Sequence, residues 1–237
     1  MNEINLSTYL KSTAYPGRGI IIGQSADEKN IVAAYFIMGR SENSKNRIFE
    51  KTSDGIKTKA FDESKLTDPS LVIYPPVRKH KNNIIITNGD QTDTIYDFMS
   101  QGKSFEEALR TRTFEPDPPI LTPRISGLVT ISGENFGYKL SILKSDGENK
   151  ERALRYFYEY ESPEAGKGHF MHTYKQNADV PPPFEGEPKK IEIEGGIEEF
   201  SKTIWDSLND DFKVSLYVLY VSIKTGETKE KITNKNI

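Results

Sequence analysis

Residues 84–95 read I-I-I-T-N-G-D-Q-T-D-T-I. The three isoleucines predict a short strand buried on both faces. Asn88-Gly89-Asp90 ends that strand, because glycine tolerates positive φ and Asn and Asp fold back onto their own backbone. Thr92 or Asp93 can then cap a helix whose inner face carries Ile95, Phe98 and Met99. A strand that feeds a helix through such a turn gathers N–H groups and hydroxyls at one point. Two readings stand: a capped turn with nothing bound, or a receptor for a phosphate or a sugar.

Upstream, residues 19–23 and 31–39 are nearly all apolar and flank the polar turn Asp27-Glu28-Lys29-Asn30. They predict a hairpin of two strands covered on both faces. The run from Gly39 to Arg47 ends the second strand with three cations. It is either a solvated loop or, with Arg18 at the start of the partner strand, an anion site. Residue 48 onward predicts another short strand, followed by a charged loop to Thr67. Tyr74 stands before Pro75-Pro76, which rule out a regular central strand and stiffen the backbone there. That suits a phenol held in one place, or one packed at a sheet edge.

Downstream, the first helix should stop near Gly102, and Ser104 to Glu107 reads as a capping box for a second helix through Arg112. Glu115 falls on a stiff, proline-rich loop. Strands follow at residues 127–132, 138–143 and 154–160, then an irregular stretch at 166–188. Residues 196–208 form an amphipathic helix, with Ile197, Phe200, Ile204, Trp205 and Leu208 on one side. Residues 212–223 close as a strand. Strands, two helices, strands, one helix and a strand give an α+β fold with antiparallel sheet, and two sheets packed together with helices outside is one arrangement of this order among other α+β folds. We expect one domain over residues 1–237, with 1–12 and 226–237 as peripheral tails and the lysine-rich second one frayed.

The composition narrows the function classes. The 237 residues suffice for a full core. The formal charge of −3, with acids and bases interspersed, argues against nucleic acid as a partner. No stretch approaches the ~18 apolar residues of a membrane helix, and the first residues have neither a basic start nor an apolar run. A cytoplasmic protein is expected. The absence of cysteine excludes disulfides, thiolate metal sites and a Cys nucleophile. Of three histidines, His169 and His172 would share a face only on a helix. The nearby glycines and prolines disfavour one, and nothing completes a ligand set, so no metal is expected.

Five motifs together resemble the archaeal-type IMP cyclohydrolase family. They are Y-P-G-R (15–18), G-R-S with a later arginine (39–41, then Arg47), D-P-S-L-V-I-Y (68–74), T-N-G-D-Q-T-D-T-I (87–95) and L-T-P-R-I (121–125), with Glu115 just upstream of the last. H-T-Y at 172–174 is a fainter echo, and the 166–188 segment looks enlarged relative to the family. The resemblance implies an αββα sandwich of the N-terminal-nucleophile-hydrolase type without its self-processed nucleophile. It also implies a cofactor-free homo-oligomer that closes the ring of the formamido carboxamide ribonucleotide FAICAR to give IMP, the last step of purine biosynthesis. On this likeness the catalytic candidates are Arg47, for charge stabilisation at the formyl oxygen or orientation of the carboxamide, Tyr74, as donor to the departing oxygen, and Glu115, to steer the amide or relay its proton. Substrate-binding candidates are Arg18, Arg40, Ser41 and Arg124, with Asn88, Gly89, Asp90, Thr92, Asp93 and Thr94 of the turn. The alternatives are a nucleotide-binding relative without the activity, or an amide hydrolase on the same fold.

Overall fold

A computed structural model describes residues 3–147 and 149–237. The chain begins with helix α1 (Leu6–Ser12), whose Asn5 cap accepts from the Thr8 N–H at 2.9 Å. Strands β1 (Arg18–Gln24) and β2 (Asn30–Met38) form the expected hairpin, buried almost throughout. One helical turn, α2 (Glu42–Lys45), leads into β3 (Arg47–Lys51) and β4 (Gly55–Ala60). After an irregular stretch come β5 (Val77–His80) and β6 (Asn83–Thr87), then helices α3 (Gln91–Ser100) and α4 (Phe105–Arg110). Strands β7 (Arg124–Ser132), β8 (Asn135–Asp146), β9 (Asn149–Tyr160), β10 (Lys167–His172) and β11 (Lys189–Glu192) precede helix α5 (Ile197–Ser207). Strands β12 (Lys213–Ser222) and β13 (Thr228–Asn234) close the chain.

The strands make two antiparallel sheets, ordered β11-β10-β1-β2-β12-β13 and β3-β4-β5-β6-β7-β8-β9. Alternation along each strand divides its side chains between two environments. Ile20, Ile22, Tyr35 and Ile37 meet Ile84, Ile86, Ile125 and Val129 in a core between the sheets. Ile21, Val32 and Phe36 face the other way, onto Leu6, Leu10, Phe200 and Ile204 of α1 and α5. On the far side Ile85, Leu128 and Leu143 bury Ile95, Phe105 and Leu109 of α3 and α4. The layers therefore run helix, sheet, sheet, helix, the α+β sandwich the sequence predicts. The capping box at Ser104 and Glu107 is present. Among the described residues no helix is long and apolar enough to cross a membrane.

Four local expectations are corrected. The charged loop after residue 48 contains β4, whose Ile56, Thr58 and Ala60 are buried while Lys57 and Lys59 are exposed. That is a half-buried strand, with charge on its outer face only. The irregular 166–188 stretch begins with β10, paired to β1. Gly168 does not break it: a Cβ there would lie 2.7 Å from Ile193 Cδ1 and 2.8 Å from the Ile22 carbonyl, so the glycine permits a close approach. The C-terminal segment does not fray. It is the edge strand β13, and Glu230 reaches Lys51 at 2.6 Å and Lys79 at 2.9 Å on the other sheet. Helix α3 starts at Gln91 with Asp90 at the cap position and no side-chain cap bond. Thr92 and Asp93 lie inside it, because Arg112 and Arg124 hold the Asp90 carboxylate at 2.5 and 2.7 Å.

Leu10, 1% exposed against α5, makes α1 part of the packed structure. Leu10→Ala should lower stability by about 2–5 kcal/mol. Chemical denaturation measures this, and an effect below about 0.5 kcal/mol, typical of surface changes, would show that α1 is not docked.

Candidate active site

At one end of the sandwich, the start of β1, the loop after β2, the Glu115 loop and the segment after β10 converge. They enclose a cleft of about 290 Å³ whose walls include Tyr15, Arg18, Arg40, Ser41, Glu115 and Tyr174. That volume lies near the lower limit for small-molecule sites. Tyr15 stacks on Tyr174 with centroids 5.7 Å apart, and the Arg40 guanidinium lies 5.1 Å from the Tyr15 ring centre. Arg40 also donates to the carbonyls of Ala178 and Asp179, so the 173–188 segment reaches the cleft. Ser41 caps α2 through the Ser44 N–H at 3.1 Å.

Arg47 and Tyr74 lie behind this wall, 0% and 4% exposed. Arg47 Nε donates to the Ser44 carbonyl at 2.8 Å, while both Nη atoms find no acceptor among the described residues. Burial lowers the pKa of this guanidinium, and the Tyr74 phenol works against that fall. Tyr74 is clamped by Thr58, whose hydroxyl accepts from the Tyr74 N–H at 2.8 Å and donates to its carbonyl at 3.0 Å. Its own hydroxyl lies 2.8 Å from that of Tyr35. The two prolines leave Tyr74 off any strand, held to β4 by the side chain and the backbone N–H of Thr58.

The Asn88 turn forms a closed polar knot. Asn88 Nδ2 donates to the Pro123 carbonyl at 2.9 Å and reaches Glu115 at 3.5 Å, while Asn88 Oδ1 accepts from the Ile125 N–H at 2.8 Å. The hydroxyls of Thr87 and Thr92 bond each other at 2.7 Å, and the Gly89 N–H donates to Thr87 Oγ1. The donors that a free turn would offer are therefore used within the knot. A Cβ at Gly89 would come within 2.6 Å of Arg124 Nη1 and 2.7 Å of Gln91 Oε1, so the glycine leaves room for Arg124 to cross the turn to Gln91 and Asp90. Asp93 pairs with Arg78, and Thr94 accepts from Arg112, both away from the cleft.

Glu115 connects the cleft to the knot. Its carboxyl is buried, and burial pushes its pKa up to about 7 against the pull of Arg18 and Arg124. Burial likewise opposes charge on Arg18, yet Glu115 and the tyrosines 174, 15 and 74 hold its pKa well above the usual value. Arg18 Nη1 lies 3.5 Å from the Tyr174 hydroxyl. That hydroxyl meets Thr122 Oγ1 at 2.7 Å, which donates to Asp117 at 2.5 Å. Tyr35, Asp117 and Thr122 were not singled out from the sequence. Their contacts here join segments 39 to 52 residues apart, apart from the local Asp117–Thr122 bond, and no local pattern signals such pairs.

His169 and His172 serve the fold. On a strand, residues three apart point to opposite faces. His169 Nδ1 meets the Tyr138 hydroxyl at 2.6 Å, and His172 Nε2 meets that of Tyr9 at 2.8 Å. Among the described residues no group of three or more His, Asp or Glu could hold a metal ion.

A family model described as IMP cyclohydrolase-like protein matches residues 15–227. The IMP cyclohydrolase of Methanopyrus kandleri is 29% identical over 170 residues, covering 70% of this chain and 78% of that protein. That of Methanococcus aeolicus is 24% identical over 164 residues, 68% and 74% of the two chains. For the Methanothrix thermoacetophila protein of the same name the figures are 28% over 120 residues, 49% and 58%. With the family match running through the hairpin, the cleft and the buried arginines alike, the chain belongs to the IMP cyclohydrolase-like family.

Proposed function

We propose that this protein is an IMP cyclohydrolase that closes FAICAR to IMP with loss of water. The reading takes it as a single cytoplasmic domain of the N-terminal-nucleophile-hydrolase-like type, acting as the homo-oligomer that the family likeness implies. The observation that carries it is Arg47, a fully buried guanidinium whose two Nη atoms find no partner among the described residues, coupled to Tyr74 and Glu115. Buried donors without acceptors are rare and costly, and a carbonyl oxygen that gathers negative charge would satisfy them.

The reaction joins two neighbouring groups of one molecule. The carboxamide nitrogen attacks the formyl carbon, a C–N bond forms, and the formyl oxygen takes the electron pair. Glu115, as carboxylate, accepts the proton leaving the carboxamide nitrogen, and Tyr74 supplies a proton to the formyl oxygen. The Glu115 carboxyl returns its proton to the resulting hydroxyl as the C–O bond breaks and water departs. The former formamido nitrogen gives up its proton as the C=N bond forms, restoring the Tyr74 hydroxyl. Alignment is worth up to about 7–11 kcal/mol in favourable intramolecular cases. One fixed donor such as Arg47 at the developing oxyanion is worth about 3–4 kcal/mol. Arg18 and Arg40, on the cleft wall, suit the phosphate, while the Asn88 knot and Arg124 hold Glu115 in place. No step calls on a metal or a redox cofactor.

Purified protein given FAICAR should produce IMP, followed by absorbance, and chelator should leave the rate unchanged. A rate no faster than the uncatalysed background would overturn the proposal. Tyr74→Phe and Glu115→Gln should each lower turnover by roughly tenfold or more with the fold intact. Full activity in either removes that residue from the mechanism.

A carboxyl with a pKa of about 7 sets a pH dependence. Below that value the group is neutral and cannot take the amide proton, so kcat/KM should climb as pH rises through about 7 and then level. Glu115→Gln should abolish that inflection. Stability has the opposite sign. Between the usual carboxyl value of 4.5 and about 7 the folded protein keeps a proton that the unfolded chain has released, so folding stability should fall as pH rises through that window. Denaturation midpoints compared with those of Glu115→Gln test this.

A further inference from the structure

Tyr35 lies in the apolar core between the sheets, 0% exposed, its ring stacked on Phe49 with centroids 5.7 Å apart. A phenylalanine would fill this space and bring no hydroxyl to bury. The Tyr35 hydroxyl nonetheless meets that of Tyr74 at 2.8 Å. The two residues come from different sheets: Tyr35 from the middle of β2, Tyr74 from the segment clamped to β4 by Thr58. Burial and the neighbouring Tyr74 raise the Tyr35 pKa well above the usual phenol value, so Tyr35 keeps its proton.

Resting on the cyclohydrolase reading, we propose that Tyr35 is a positioning residue whose hydroxyl donates to Tyr74 and so aims the Tyr74 proton at the substrate. A phenol oxygen that accepts from one side directs its own O–H elsewhere, and the charges coupled to this pair are Arg47 and Arg18. When Tyr74 passes its proton to the departing oxygen, its phenolate keeps the Tyr35 hydrogen bond and lies in the field of the two guanidiniums. The proton released by the former formamido nitrogen then restores the Tyr74 hydroxyl. Protons balance, and no further reactant is needed.

The test compares wild type, Tyr35→Phe, Tyr74→Phe and the double variant for kcat, KM, thermal midpoint and calorimetric affinity for IMP. Tyr35→Phe should lower kcat roughly tenfold with KM and IMP affinity within about twofold of wild type, and should cost nothing more in the Tyr74→Phe background. Full kcat in Tyr35→Phe, losses that add in the double variant, or a loss of IMP affinity that follows the thermal midpoint would overturn the inference. If Tyr35→Phe does not fold, 3-fluorotyrosine at position 35 keeps ring and hydroxyl while acidifying the phenol. It should change kcat, and an unchanged kcat would overturn the inference. Wild type that makes no IMP from FAICAR refutes the cyclohydrolase reading itself. Active wild type with an indifferent position 35 refutes only the role of Tyr35.

Discussion

Between the two sheets, Arg47 carries a positive charge out of water, with Arg18 and the Glu115 carboxyl within its field. Removing an ion from water costs several kcal/mol even after the protein relaxes, and two guanidiniums of like sign add to that cost. The surroundings answer it only in part. Arg47 keeps one hydrogen bond, to the Ser44 carbonyl, and Arg18 has Tyr174 and the opposite charge of Glu115. The polar architecture around the cleft follows from holding these groups still.

The holding is done by side-chain hydrogen bonds at short range. Thr58 clamps Tyr74, Asn88 and Gln91 tie the turn to β7, and the chain from Asp117 through Thr122 to Tyr174 ends at Arg18. Each bond is modest on its own, and a connected set of them in a low-dielectric interior restricts every member at once. Fixed donors aimed at a point of developing charge need not reorganise during a reaction. The same dryness raises the Glu115 pKa into the range where a carboxyl can both take and return a proton near neutral pH.

Both sheets contribute to this centre. Arg18, Tyr35 and Tyr174 belong to the six-stranded sheet or its connections, and Arg47, Tyr74, Glu115 and Arg124 to the seven-stranded one. The constellation therefore exists only when the sheets are packed. The C-terminal edge strand helps secure that packing, since Glu230 and Asn234 bond across to β3 and β5.

Much of the fold was legible in the sequence. Continuous apolar runs located β1, β2, β6 and β12, a capping box located α4, and the 3.6-residue periodicity located α5. Segments where charge alternates with small or β-branched residues, β4 and β13, read as loop or tail, because composition hides a two-residue period that only pairing with a neighbour strand reveals. Helix α3 was found but its cap was not, since Arg112 and Arg124 come from later in the chain to hold Asp90. Family motifs singled out Arg18, Arg47, Tyr74 and Glu115 one at a time. Only the tertiary structure separated the groups that line the cleft from those buried deeper, and only it paired Tyr35 with Tyr74. Burial and hydrogen bonding between distant segments depend on how the layers meet, whereas periodicity and turn chemistry are local and can be read along the chain.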